Sequence, residues 1–259
     1  MTAGLPSSGV ADRMIEKLAP LVPVDELYDY HGAAGVPLWA PYHQGDVFAK
    51  VTIEDLPPLE GADEGLVMLF MHPCTMREGV SLRSHLTVVR VKVESPRKVL
   101  GDPDRWATRN KVMPLPDLRG DGKSTHIADF MEISTIDSER LPRTNRIAQL
   151  SAAGRVHMQH RIVFHLTRYC AHPDSIADAT KAVEVEAQMQ ADWVEAGCRV
   201  PEDCGLAAVE ALEREFQEFL GSNDDPRSLR SELKDSRQSD AVRSIEQRIR
   251  QKSPRTASH

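Results

Sequence analysis

Five polar side chains crowd one short stretch of this chain: His72, Thr75, Arg77, Arg83 and His85. Metal-free cleavage of RNA needs a base for the 2′-hydroxyl, a cation for the phosphorane and an acid for the leaving oxygen. Histidines can divide the acid and base work near neutral pH. His72 and His85 are therefore the candidates, and Thr75 and Arg83 complete a catalytic set. Arginine gives paired hydrogen bonds to phosphate oxygens, so Arg77 is a candidate nucleic-acid contact. Cys74 is a candidate nucleophile beside either histidine. The plainer reading makes 72–85 an ordinary polar rim loop, with His72 a cap and Cys74 a packing residue.

Strands must position that loop. Leu66–Met71 is short and apolar on both faces, which predicts a strand buried on both sides. Leu86–Val93 alternates, with Leu86 and Val88 facing one way and Val89, Val91 and Val93 the other. His72 precedes Pro73 and is biased to extended geometry, so it should end the first strand at a sheet rim. Gly45 before Val47-Phe48 suits a tight turn into another strand. Further strands are expected at 111–115, at 126–136 after a hairpin turn at 120–122, and at 145–150. Short strands separated by turn residues predict a small, mostly antiparallel β-barrel within an α+β protein.

Residues 140–173 carry six arginines and four histidines and no Asp or Glu. Ser151 can cap a helix running to about Tyr169. His157, Arg161, His165 and Arg168 then share one face, a basic edge suited to nucleic acid. Zinc has weak support. His157, His160, Cys170, His172, Cys198 and Cys204 fit no zinc spacing, so no metal and no cofactor are expected.

The ends read differently. An arm, 1–43, holds a short helix at 10–18 and then an irregular Pro- and Gly-rich run held by Leu27, Tyr28, Leu38 and Trp39. The barrel with its closing helix spans 44–172. Two helices, 175–196 with a Ser175–Asp178 capping box and 202–220, make a helical hairpin across 173–221. A charged tail, 222–259, is expected to be disordered alone, although Val242, Ile245 and Ile249 can form one helical stripe on a partner. Net charge is −7, so overall charge does not drive nucleic-acid binding and local patches must carry it. The four cysteines form no CxxC. No apolar run approaches membrane-spanning length and no secretory start is evident. Together these predict a soluble, cytoplasmic protein with reduced thiols and no membrane partner.

The residues Gln44-Gly45-Asp46-Val47-Phe48, the strand ending in His72-Pro73-Cys74-Thr75-Met76, and Phe130–Leu141 followed by Arg146–Ser151 and a helix resemble the PemK/MazF-like toxins over residues 44–169. That resemblance implies an SH3-like barrel with a helical C-terminal extension, a homodimer, a role in a bacterial toxin or defence-type system, and cleavage of single-stranded RNA. Family ribonucleases place an arginine before the second strand, where this chain has Glu64-Gly65, and only Ser95 matches their serine or threonine after the third. Two function classes follow. One binds, and in the stronger form cleaves, nucleic acid, with single-stranded RNA favoured over DNA. The other is a non-catalytic adaptor whose barrel is a scaffold and whose residues 173–259 bind a protein.

Overall fold

A computed structural model describes residues 18, 22–56, 65–78, 81–95, 109–168, 171–198, 204–221, 225, 227–235 and 238–252. Seven strands form one sheet: β1 (Tyr28–Tyr30), β2 (Val47–Phe48), β3 (Leu66–Leu69), β6 (His85–Val93), β7 (Val112–Pro116), β8 (Thr125–Asp137) and β9 (Arg146–Leu150). Two further strands, β4 (Arg77–Glu78) and β5 (Ser81–Leu82), pair only with each other. The sheet order is β1-β9-β2-β3-β6-β8-β7, and every pairing is antiparallel.

The double-sided strand behaves as expected. Leu66 and Met68 enter one core with Val89 and Val91, while Val67 and Leu69 enter a second with Leu86 and Val88. Helix α3 (Ala152–Thr167) covers the first core through Met158 and Ile162. Ser151 caps it by accepting from Gly154 N at 3.0 Å. The second core is closed by Val51, Ile53 and Leu141, and by Met76 of the one-turn helix α2 (Pro73–Met76).

The sheet does not close into the expected barrel. Its edge strands β1 and β7 share no ladder and are bridged instead by Tyr28, whose hydroxyl donates to Pro116 O at 3.1 Å. β1 has three residues, and Pro114 and Pro116 in β7 have no N–H to give, so there is little to pair across that seam. β8 carries a large bulge. Val89 faces Ile133 but Arg90 faces Asp129, which leaves 130–132 without partners in β6.

The arm is less irregular than expected, because Tyr28–Tyr30 pairs with β9 as β1, preceded by one helical turn, α1 (Val24–Leu27). The helix expected at 10–18 lies outside the described residues except for Leu18. Gly45 takes φ 92°, and a Cβ there would sit 2.4 Å from Leu150 Cδ1, so both its turn and its packing require glycine.

The helical hairpin is α4 (Pro173–Gly197) and α5 (Leu206–Leu220). Its cap is His172, whose Nδ1 accepts from Asp174 N at 3.3 Å, in place of the expected Ser175–Asp178 box. The tail is ordered over 229–233 (α6, Leu229–Leu233) and over α7 (Gln238–Lys252), against the expectation of disorder. Ala241 and Ile245 are fully buried beside Trp193, Phe216 and Leu220. The stripe of Val242, Ile245 and Ile249 that suited a partner packs on the chain's own hairpin, whose apolar face supplies the missing half. Cys198 and Cys204 form a disulfide with Cα atoms 5.7 Å apart, which corrects the expectation of reduced thiols. The bond ties the end of α4 to the start of α5. Among the described residues no helix is long and apolar enough to cross a membrane.

Candidate functional site

The loop after β3 gathers some of the expected chemistry. His72 caps α2: its Nδ1 lies 3.4 Å from Cys74 N as acceptor and 2.9 Å from Cys74 Sγ. Thr75 Oγ1 donates to His72 O at 2.8 Å. These contacts are local and hold the turn, as the structural reading of His72 anticipated. Burial lowers the His72 pKa, with the Glu184 carboxylate opposing. Arg83 and His85 are exposed beyond β5; Arg83 N donates to Met76 O of α2 at 2.8 Å, and His85 Nδ1 lies 2.9 Å from Ser84 Oγ. The two histidine rings therefore engage different neighbours, and no shared hydrogen-bonded centre joins His72, Thr75, Arg83 and His85 among the described residues.

The predicted basic edge of α3 is largely interior. Arg161 is completely buried; its Nε donates to Val112 O at 2.8 Å and its Nη2 to Arg109 O. Burial pushes its pKa down to about 10. His157 is buried too, and both its ring nitrogens lack hydrogen-bond partners among the described residues. Burial, then the charges of Arg161 and His160, push it down to about 3, so it packs as a neutral ring. His165 stacks at a tilt on Phe130 with centroids 5.9 Å apart, and Arg168 is exposed. Of the four predicted contacts on this edge, only these last two reach solvent. A helix stripe read at the right period marks a shared face without saying whether that face looks outward.

Arg143, Arg146 and Arg155 of the acid-free segment are also internal, whereas Arg140 is part-exposed and pairs with the exposed Glu54 at 2.8 Å. Arg146 Nη1 donates to Asp46 Oδ2 at 2.8 Å, with both side chains fully buried, and Arg146 also binds the carbonyls of Pro37, Ala40 and Pro41. Gln149 Nε2 reaches Asp46 Oδ1 at 3.1 Å and Pro41 O at 2.9 Å. Arg143 lies over the Tyr42 ring at 4.5 Å, donates to Leu38 O and Ala40 O, and pairs with Glu213 of α5. The arm thus offers a row of buried carbonyls that need donors, and β9 and the turn before it supply them. The motif residues Asp46 and Arg146 are explained by this internal bonding.

Arg77 extends the network outward, with its guanidinium 3.8 Å from Glu213 Oε2. It sits in the wall of a cleft of about 470 Å3 between the sheet and the helical region. Pro73, Cys74 and Leu82 form the sheet-side wall, and Val183, Glu186 and Gln190 the α4 wall. Gln217 and Arg230 close the far end. Gln217 Nε2 donates to Gln190 Oε1 at 2.8 Å, and Arg230 Nε lies 3.3 Å from Glu186 Oε1. The walls mix apolar, amide, cationic and anionic groups, with no concentration of one sign. No group of three His, Cys, Asp or Glu suited to hold a metal occurs among the described residues.

Comparison of this chain with protein-family models, with curated proteins and with solved structures finds no match.

The helical half of the cleft escaped sequence reasoning. Gln190 and Gln217 sit on helices otherwise recognised by their apolar positions, and Arg230 lies in the stretch expected to be disordered. One signal was present: uncharged Gln190 interrupts the Val183, Ala187, Val194 face of α4, and a buried amide implies a partner.

Proposed function

We propose that the protein is a non-catalytic adaptor, in which the curled sheet is a rigid scaffold and the cleft between sheet and helices takes up an extended segment of a partner protein. The carrying observation is the burial of four of the six arginines in the acid-free segment 140–173. Arg143, Arg146, Arg155 and Arg161 are each at least nine-tenths buried and bonded to this chain's own carbonyls and carboxylates. Phosphate contacts dominate nucleic-acid affinity, and the chain's net charge of −7 works against them. A mixed cleft with apolar walls and facing amides suits a peptide backbone with one or two anchoring side chains. The Tyr28 bridge between the edge strands supports describing the scaffold as an SH3-like barrel left open along that seam.

A second reading keeps one observation of its own. The His72 ring, the Cys74 thiol and Thr75 share one exposed turn beside Arg77, so weak hydrolysis of RNA at that rim is the alternative. One experiment separates the two. Single-stranded RNA and DNA are incubated with the full-length protein under chelator, and a displayed peptide library is selected on wild type and on Val183→Trp, which fills the cleft. The adaptor reading expects no cleavage and a peptide consensus that Val183→Trp abolishes. Cleavage lost on His72→Ala, or peptides indifferent to Val183→Trp, would overturn it.

A further inference from the structure

The outer edge of β8 lies open beyond its bulge. β7 pairs with β8 over residues 125–129, and Phe130 N adds one bond to Lys111 O. From 131 to 137 no strand among the described residues lines that side of β8. The inner pairing fixes which backbone groups face out. Ser138 N donates to Ser84 O at 2.8 Å, and pairs bonded toward β6 recur at every second residue, at Ile136 and Ser134. Ile133, Thr135 and Asp137 alternate with them, so their N–H and C=O groups turn away from β6, and all three residues are exposed. Such a row is a template for one more strand. The two ends of the sheet are blunted, since β1 has three residues and β7 carries Pro114 and Pro116. Residues 133–137 contain neither proline nor lysine.

The side chains around this edge specify the strand that fits it. Ile133 lies opposite Val89, on the face of the first core, and is 43% exposed. Met131 in the bulge is 61% exposed. Leu166, 66% exposed, follows His165, whose ring rests on Phe130 of the same bulge. Three of the four large apolar side chains exposed among the described residues thus gather around this bulge, and an apolar side chain on an added strand covers Ile133. Ser134 points to the other face, where its Oγ donates to Asp55 Oδ1 at 2.6 Å. Asp137 and Glu139 stand exposed at the end of the strand. Among the described residues no cation pairs with these three carboxylates; Arg140 is held by Glu54 and by Thr52 O. A second copy of the chain brings the same acids to the seam, where like charges repel. A basic segment meets them with opposite charge.

We propose that the outer edge of β8 takes up an extended segment of a partner protein as an added antiparallel strand, with apolar side chains toward Met131 and Ile133 and alternate lysines or arginines toward Asp55, Asp137 and Glu139. Antiparallel addition continues the pairing of the whole sheet. The described residues that line the cleft include none of β8, so the edge stands or falls independently of peptide uptake there.

Isothermal titration of the full-length protein with a capped heptapeptide of alternating lysine and valine, lysine at both ends, tests the edge. Saturable binding with Kd below about 1 mM is expected. In the antiparallel pairing the valines share the face of Ile133 and their N–H groups bond to β8, so N-methylation of every valine should abolish binding. Glutamate in place of lysine should weaken it at least about tenfold at low salt, and the difference should shrink as salt is added. Thr135→Pro removes an N–H that points to solvent, which an edge tolerates, and should weaken binding at least about tenfold. Ile133→Ser, at an exposed position, should weaken it about fivefold. Failure of the lysine peptide to bind, equal binding of the methylated or the glutamate peptide, or affinity unaltered in Ile133→Ser would overturn the proposal. Two further results would also overturn it. Binding lost in Val183→Trp but kept in both edge variants would place the peptide in the cleft, and self-association of the free protein that Ile133→Ser abolishes would make a second copy the occupant.

Discussion

The arginines of β9, the turn before it and α3, and those of the 72–85 loop, carry the same side chain and lead opposite lives. Arg143, Arg146, Arg155 and Arg161 are interior fasteners, while Arg83 faces solvent and Arg77 lies between, at the cleft wall. The difference lies in what surrounds them in space. Asp46, Glu184 and Glu213 come to the buried group from far along the chain, about 100 residues away for Asp46 and Arg146. A sequence segment without acids can therefore be electrostatically compensated, and its positive charge need not mark a binding face.

The largest effect that would break this contrast concerns Arg146. Arg146→Met leaves Asp46 buried and unpaired, and a urea melt should show a loss of about 3–5 kcal/mol. Loss under 1 kcal/mol would mean the fasteners are incidental.

Acid should act on the same interior. The His157 pKa in the folded chain, about 3, lies below its ordinary 6.5, so the unfolded chain takes up the proton first. The contribution is complete above about pH 6.5 and is lost as pH falls toward 3, by up to about 1.4 kcal/mol per pH unit. Melts across pH 4–7 of wild type and His157→Met should differ in slope, with the variant flatter. Equal slopes would place His157 in contact with water.

The smallest effect belongs to the loop. Arg83→Ala and His85→Ala should each shift stability by no more than about 0.5 kcal/mol, as exposed positions do. A thermal melt showing a larger loss in either would make the loop part of the scaffold and erase the contrast.

Legibility followed the same division. β3, β6 and β8 were readable because their pattern and bounding turns are local, and α3 because Ser151 caps a clear helical period. β1 was hidden in an arm rich in proline and glycine, and its partner lies about 120 residues on. The open seam depends on the three-residue β1, itself hidden in the arm, and on Pro114 and Pro116 of β7; the β8 bulge at Phe130–Glu132 is announced by no residue type. The tail looked too polar to fold because its helix supplies only half of an apolar interface. The Cys198–Cys204 bond has a wider spacing than CxxC and depends on the approach of two helix ends. His72, Cys74 and Arg77 were recognisable as a cluster, whereas the α4 and α5 side of their cleft needed tertiary structure to be seen.

Strand order also carries a consequence for how the chain is made. β1 and β2 are early neighbours in sequence but lie on either side of β9. Until the ribosome has delivered the chain past residue 140, β1 has no strand to join, and the carbonyls of Pro37, Ala40 and Pro41 have no arginine to meet. Closing a loop of that length precedes any reward from the contacts it makes, and such long-range pairing slows folding. The arm is therefore made early and fixed only when β9 emerges, about 120 residues later.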